Sequence, residues 1–335
     1  MRYNNRPVNF VLFGYYGFGN LGDELLASSL ASELLTLGYN KETLRILVGR
    51  DSSTAKALGI IPLFRRNIMA NIKTFLKTKV FLFGGGGIFQ DENGIKSCLY
   101  YLIYEIIAKL CGCKIYMIGQ SIGPLHSKAG ELLTNIAYKL ANTVTVRDKA
   151  SKNYLDKISV KNSLHSDLVL LLNNFDAKLG QENRNCLLLN VRDRYDRLCE
   201  LTAKKALEFA SENGLTLKYV AFSSDDKAEF DKLMERGLLP KQEVAVVENM
   251  ADFKQIAWSA SHAIGMRLHF CILSLAYGLF LCPCPYNPKV ENFASEYGLS
   301  LLTEDKTVIF KQMSLTDLDK LKSEKFLLEQ ILTHI

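Results

Sequence analysis

Residues 11–30 read VLFGYYGFGNLGDELLASSL, and the order of residue types in this stretch decides the fold. The apolar run around Val8, Phe10, Val11, Leu12 and Phe13 stops at Gly14. A glycine-rich segment continues to Glu24, and an apolar-periodic helix follows from Leu25. This is a strand, a phosphate-sized loop and a helix N-terminus in succession. Glycines let a backbone approach a ligand closely, and the first amides and dipole of a helix attract an anion. Gly14, Gly17, Gly19 and Gly22 lie three, two and three apart, which is not the GxGxxG dinucleotide fingerprint. No Gly-Lys-Ser/Thr ends the loop, so it is not a P-loop either. The plainer reading is a tight turn with Asp23 as helix N-cap.

Outward from this unit, apolar strands alternate with helical stretches. Strands are expected at Leu44–Val48, Val80–Phe83, Lys114–Ile118 and Thr143–Val146, with helices at Cys98–Cys111 and Lys128–Ala141. Such alternation specifies a doubly wound parallel sheet, whose ligands bind at the carboxyl ends of strands. The segments 14–23, 84–91, 119–124 and Arg147 all fall at that rim. Polar residues gather over 172–185, a linker, and a second alternating pattern starts at Cys186. The expected organisation is an α/β protein of two Rossmann-like domains, 1–175 and 183–312, with a closing helical segment at 313–335.

A chain of 335 residues is long for one core, and 48% hydrophobic with 23% charged residues suits a globular enzyme. The net charge of +6 favours phosphate-bearing substrates or an anionic membrane surface but is too small to indicate nucleic acid. Two CxC pairs, Cys111/Cys113 and Cys282/Cys284, lack zinc spacing, and most of the eight cysteines sit in apolar runs as small hydrophobes. No signal peptide or charge-free apolar span occurs, so a cytoplasmic protein is expected. From Ser52 to Gln90 there is no Asp or Glu, whereas Arg65, Arg66, Lys73, Lys77 and Lys79 are basic. Residues 65–79 therefore read either as a crossover helix packed on the sheet or as a peripheral contact with an anionic membrane.

The second half carries its chemistry in Ser261-His-Ala-Ile-Gly-Met-Arg-Leu-His269, a strand that turns through Gly265 into a helix near Leu268. Arg267 and His269 at that helix start suit an anionic substrate and a proton transfer. Arg147 and Arg192 close strands in the same way, so three arginines are expected to form an anion-selective site. The Ser223–Asp226 segment reads equally as a hydroxyl-binding group or a helix cap, and Lys289 could reach a phosphate. His262 reads as structural, and His126 and His165 carry little signal. No HExxH, EF-hand or GxSxG pattern and no metal-ligand cluster is present.

GYYGFGNLGDE (14–24), FGGGGIFQD (83–91), IGQSIGPL (118–125), TVRD (145–148), GMRLHF (265–270) and YNPKV (286–290) together resemble the polysaccharide pyruvyl transferase family. The likeness is nearest to the bacterial type that pyruvylates a secondary cell-wall polymer. It implies two Rossmann-like domains facing across a cleft, as in GT-B glycosyltransferases. It also implies transfer of pyruvyl from phosphoenolpyruvate to two sugar hydroxyls, giving a cyclic ketal and phosphate, with no cofactor. Asp23, Arg147, Arg267 and His269 match positions expected to be catalytic. Candidate substrate-binding residues are Gly19, Asn20, Gly85, Gly86, Gln90, Asp91, Gln120, Arg192, Leu268 and Lys289. The first domain would face the acceptor, a sugar or lipid-linked oligosaccharide, and the second the donor. One departure is Asn190-Val-Arg192-Asp193, where relatives often have Ser-x-Arg followed by Pro. Two other functions fit the domain pattern: a GT-B glycosyltransferase using a nucleotide-sugar, and a non-catalytic glycan-binding relative.

Overall fold

In the computed structural model, residues 8–92, 94–173, 175 and 184–334 are described. They fall into two units, one built from the chain up to Leu172 plus the stretch from Leu321 onward, the other from Asn173 to Lys320. The expected linker at 172–185 lies mostly outside the described residues.

In the first unit the strands are β1 Val8–Phe13, β2 Leu44–Val48, β3 Ile61–Phe64, β4 Thr78–Phe89, β5 Lys114–Ile122, β6 Thr143–Val146 and β7 Ser163–Leu164. The helices between them are α1 Leu21–Thr36, α2 Ser53–Leu58, α3 Ile68–Phe75, α4 Lys96–Leu110, α5 Lys128–Leu140, α6 Lys149–Lys157 and α7 Leu168–Leu172. All pairings are parallel, in the order β3-β2-β1-β4-β5-β6-β7. The chain moves one way from β1 to β3 and the other way from β4, so the strand order reverses between β1 and β4. Central strands covered on both faces read as nearly continuous apolar runs, as β1 and β2 do apart from Asn9 and Arg45. Phe13 of β1 packs on Phe81 and Phe83 of β4 and on Tyr101 and Tyr104 of α4, ring centroids 5.1–5.3 Å apart.

The second unit repeats the plan with β8 Cys186–Asn190, β9 Thr216–Ala221, β10 Val244–Val246, β11 Ala260–Gly265 and β12 Phe280–Pro283. Its helices are α8 Asp196–Glu212, α9 Ser224–Glu235, α10 Met250–Ala257, α11 Leu268–Ala276 and α12 Pro288–Glu296. The parallel order is β10-β9-β8-β11-β12, with its reversal between β8 and β11. The last helix, α13 (Leu315–Thr333), returns to the first unit from residue 321. There Leu328 and Leu332 are buried, Glu324 accepts from Ser166 N at 2.7 Å, and Tyr39 donates to Leu332 O at 3.0 Å.

Two strands run further than their sequence suggests. β4 continues through Gly84–Gly87 and β5 through Gly119–Ile122, so these segments belong to the sheet rather than to loops beyond it. They are irregular strands. Gly85 and Gly86 have φ of 76° and 90°, and the β4–β5 register shifts between Gly86 and Phe89. At Gly84 a Cβ would lie 2.5 Å from the Tyr16 hydroxyl, which donates to the Gly84 carbonyl at 2.7 Å. All eight cysteines are free thiols, and all but the half-buried Cys111 are buried, as expected of small core residues.

Glu105 lies fully buried on the inner side of α4, and neither carboxyl oxygen has a hydrogen-bond partner among the described residues. Burial pushes its pKa from the usual 4.5 up to about 9. The protonated form is the one the core accepts, so its contribution is complete below pH 4.5 and is lost as pH rises towards 9. Glu105→Leu should therefore raise stability at pH 8 by about 1–3 kcal/mol, and much less at pH 5. Urea unfolding at the two pH values checks this, and a variant with the wild-type pH slope would contradict it.

Candidate active site

Each unit gathers its polar side chains where its strand order reverses, the place at which open α/β sheets bind ligands. In the first unit that place lies between the ends of β1 and β4. Asn20 rather than Asp23 is the N-cap of α1, and its side-chain amide donates to Asp23 Oδ2 at 2.5 Å. Asp23 is thereby released from capping and stands against the second strand. A Cβ at Gly86 would come within 3.1 Å of Asp23 Oδ1, so the glycine is what lets this carboxylate lie against β4. Glu24 ties the loop down by accepting from Gly17 N and Thr54 Oγ1, both at 2.6 Å. Gly19, with φ of 78°, has open space around it. Beside it Tyr15 and Phe18 stack at 4.5 Å with both rings partly exposed, a flat apolar surface that the sequence did not single out.

Other candidates of this unit serve the scaffold. Asp91 accepts from His126 N at 2.6 Å and from Ser127 N and Oγ at 2.8 and 2.6 Å, fixing the entry to α5. The Ser127 hydroxyl, outweighing burial, holds its carboxyl below the ordinary range. The Gln90 side chain accepts from Glu92 N. Gln120, paired in register with Gly86, is fully buried; Nε2 donates to Ile118 O at 3.3 Å and Oε1 has no partner among the described residues. Arg147 is nearly buried, and its guanidinium is bound to Asp167 at 2.6 Å. Its charge is thus compensated inside the unit, contrary to the expectation of an arginine open to an anion. Arg65 also turns inward, over Phe18 and Phe13 at 4.8 and 5.2 Å, and donates to Gly14 O. It therefore leaves the basic surface expected of residues 65–79.

In the second unit, Asn190 at the end of β8 organises the site. Fully buried, it donates to Val220 O at 2.9 Å and accepts from Arg267 N at 2.9 Å, which fixes the start of α11. Gly265 leaves room for the turn, because a Cβ there would lie 2.3 Å from the Phe270 ring. Arg267 becomes the helix N-cap and His269 lies in the first turn, half-buried, with its Nε2 shielded from solvent. Leu268 between them is buried core.

Arg267 does not stand open. Its Nε donates to both oxygens of the fully buried Asp226 at 3.1 Å, and its Nη2 to Asp226 Oδ1 at 2.5 Å and Ser223 Oγ at 3.2 Å. Burial alone would lower the guanidinium pKa, but the bonds to and charge of Asp226 outweigh it and raise it. Ser223 caps α9 as well, which is the helix-cap reading of the 223–226 segment. Arg192 differs from the other two arginines. It makes no ion pair among the described residues, stacks over the Tyr286 ring at 4.5 Å and donates to its hydroxyl. Asn190 pairs with Gly265 in register, so Arg192 and Arg267 leave adjacent strands side by side. Both act on the Tyr286 hydroxyl, whose pKa burial raises and the two guanidiniums pull back. Lys289 enters α12 one residue after its Pro, behind the Asn287 cap. His262 packs between Phe280 and Phe310, a structural role as expected. Among the described residues no group of three His, Cys, Asp or Glu could hold a metal, and no helix is long and apolar enough to cross a membrane.

Residues 20–279 match the family model described as polysaccharide pyruvyl transferase. No curated protein matches the chain. Among solved structures, UDP-GlcNAc 2-epimerase from Methanocaldococcus jannaschii is similar at 11% identity and a TM-score of 0.57, covering 98% of this chain and 99% of that one. A glycosyltransferase from Rickettsia africae gives 11% identity and 0.57 over 99% and 93% of the two chains. UDP-GlcNAc 2-epimerase from Neisseria meningitidis, bound to UDP-GlcNAc, gives 11% and 0.53 over 98% and 94%. These likenesses fix the fold: two parallel-sheet α/β domains of the GT-B class.

Proposed function

The chain belongs to the polysaccharide pyruvyl transferase family, and we propose that it moves a pyruvyl group from phosphoenolpyruvate onto two hydroxyls of a sugar. The sugar would belong to a cell-surface polysaccharide or its lipid-linked precursor, with the enzyme working in the cytoplasm at the inner face of the membrane. The observation that carries the reading beyond the family is Arg192, a guanidinium with no carboxylate against it among the described residues, set beside Arg267 and the first turn of α11. A donor bearing both a carboxylate and a phosphate calls for such a group.

The reaction adds one sugar hydroxyl to C2 of the enol ester while a proton is delivered to its methylene carbon, making the methyl group. The C2–O bond to phosphate breaks, phosphate leaves, and the second hydroxyl adds at C2 and loses its proton to close the ketal. His269 is assigned the donor-side proton transfer. Arg192, stacked on Tyr286, holds the donor's anionic groups, and Arg267, already tied to Asp226, adds its charge beside it at the helix start. In the first unit Asp23 orients or deprotonates the acceptor hydroxyl, and the Tyr15–Phe18 surface offers a sugar ring an apolar face. Asp226, a buried acid just past the end of β9, is engaged by Arg267, which argues against its gripping the ribose of a nucleotide-sugar.

Phosphate release from phosphoenolpyruvate, screened over sugar acceptors including lipid-linked N-acetylhexosamine disaccharides, tests this. Release should depend on acceptor, and Arg192→Ala should raise the KM for phosphoenolpyruvate by about tenfold or more, the worth of a charge-assisted bond. Silence across acceptors together with tight nucleotide-sugar binding in calorimetry would move the assignment to a glycosyltransferase.

A further inference from the structure

We propose that the outer face of α3 and α4 in the first unit is a docking surface for an anionic lipid bilayer. Helix α4 packs next to α3 on one side and α5 on the other, with Cys98, Tyr101, Leu102, Glu105 and Ala108 turned inward. Its outward residues follow i, i+4, i+7, i+11: Leu99, Ile103, Ile106 and Leu110, the last 83% exposed. An ordinary surface helix shows polar residues on that face. Here the remaining exposed positions of α4 are Lys96 and Lys109, and its one acid, Glu105, is buried. Helix α3 continues the surface with Met69 and Leu76, 72% and 64% exposed, whereas its Phe75 points into the core.

Charge decides the occupant. Arg66, Lys73 and Lys79 are exposed around α3, and no Asp or Glu occurs from Ser52 to Gln90. The one exposed acid on α5 is Glu131, with Lys128 and Lys139 exposed on the same helix. A second copy of the chain brought onto this face by two-fold symmetry would set the same lysines against each other. A bilayer with anionic headgroups satisfies both features, attracting the basic residues and taking up the aliphatic stripe. The surface differs from residues 65–79 taken alone, since Arg65 faces inward and α4 adds four exposed aliphatic side chains. The inference stands whether or not the reaction proposed above is correct.

The full chain should sediment with phosphatidylcholine vesicles containing phosphatidylglycerol and remain in solution with phosphatidylcholine alone. Raising salt should release it. Arg66→Glu/Lys73→Glu should weaken sedimentation by about tenfold or more, and Ile103→Gln/Leu110→Gln should weaken it without altering the thermal melt. Both variants should turn over a water-soluble acceptor at the wild-type rate, which separates this surface from the chemistry. Equal sedimentation with neutral vesicles, or variants that bind as the parent does, would overturn the proposal. So would a dimer in light scattering that Ile103→Gln/Leu110→Gln converts to monomer, since the face would then belong to a second copy.

Discussion

Replacing His269 with alanine should lower turnover by about 10²–10⁴-fold at saturating substrates, the usual contribution of a positioned acid–base group. The KM for phosphoenolpyruvate should change little, because Arg192 rather than His269 holds the anion. Three features fix the backbone that carries His269 before substrate arrives. Asn190 takes the Arg267 amide, Gly265 gives the chain room to turn, and the Cys271 amide closes the first helical turn on Arg267 O at 3.0 Å. A side chain seated this way loses little on reaching the reactive geometry. Steady-state kinetics of phosphate release measures the effect, with the far-ultraviolet spectrum confirming an intact fold. Turnover within a few-fold of wild type would remove His269 from the chemistry.

Asp226→Ala should destabilise the second unit by up to about 3–5 kcal/mol, because it leaves the largely enclosed Arg267 charge only the longer ion-pair contact to Asp193 at 3.7 Å. Both Asp226 oxygens bind the guanidinium, and Oδ2 also accepts from Phe222 N at 3.1 Å, so the substitution removes the closest partner of a charge and the partner of a buried amide together. The single tryptophan of the chain, Trp258, lies in the second unit, so its fluorescence during urea unfolding reports this unit. Removing both partners separates structure from function. Asp226→Ala/Arg267→Met should recover much of the lost stability, since an apolar replacement leaves no buried charge. It should not recover turnover, because the Arg267 guanidinium is then missing from the start of α11 beside Arg192. A double variant as unstable as Asp226→Ala would show that the pair does more than cancel charge. One with wild-type activity would show that Arg267 has no part in the site.

The sheet architecture was legible because the central strands β1, β4, β8 and β11 each carry a short, mostly apolar run with glycine or arginine at its end or soon after it. The rim residues were legible for the same reason: they follow those runs directly. What stayed hidden depended on partners distant in the chain. Arg147 and Arg267 read as open cations because Asp167 and Asp226 stand 20 and 41 residues away. Nothing in local spacing couples them. Asn190 reads as one more residue of a strand that runs to Val191, and its grip on the Arg267 amide requires the β8–β11 register. The glycine runs of β4 and β5 read as loops, since glycine disfavours a strand, yet the sheet absorbs them through positive-φ residues and a shifted register. The stripe on α4 escaped because an aliphatic helix face gives the same pattern whether it meets a sheet or solvent.

The course of α13 has a consequence for biosynthesis. Because residues from 321 onward pack into the unit that the first 172 residues begin, the domain made first is the domain finished last. A nascent chain emerging from the ribosome can close the sheet of β8–β12 while its own N-terminal half still lacks Leu328, Leu332 and the Glu324 bond to Ser166. The half carrying Asp23 and the α4 surface is sealed only when translation has passed the end of the other.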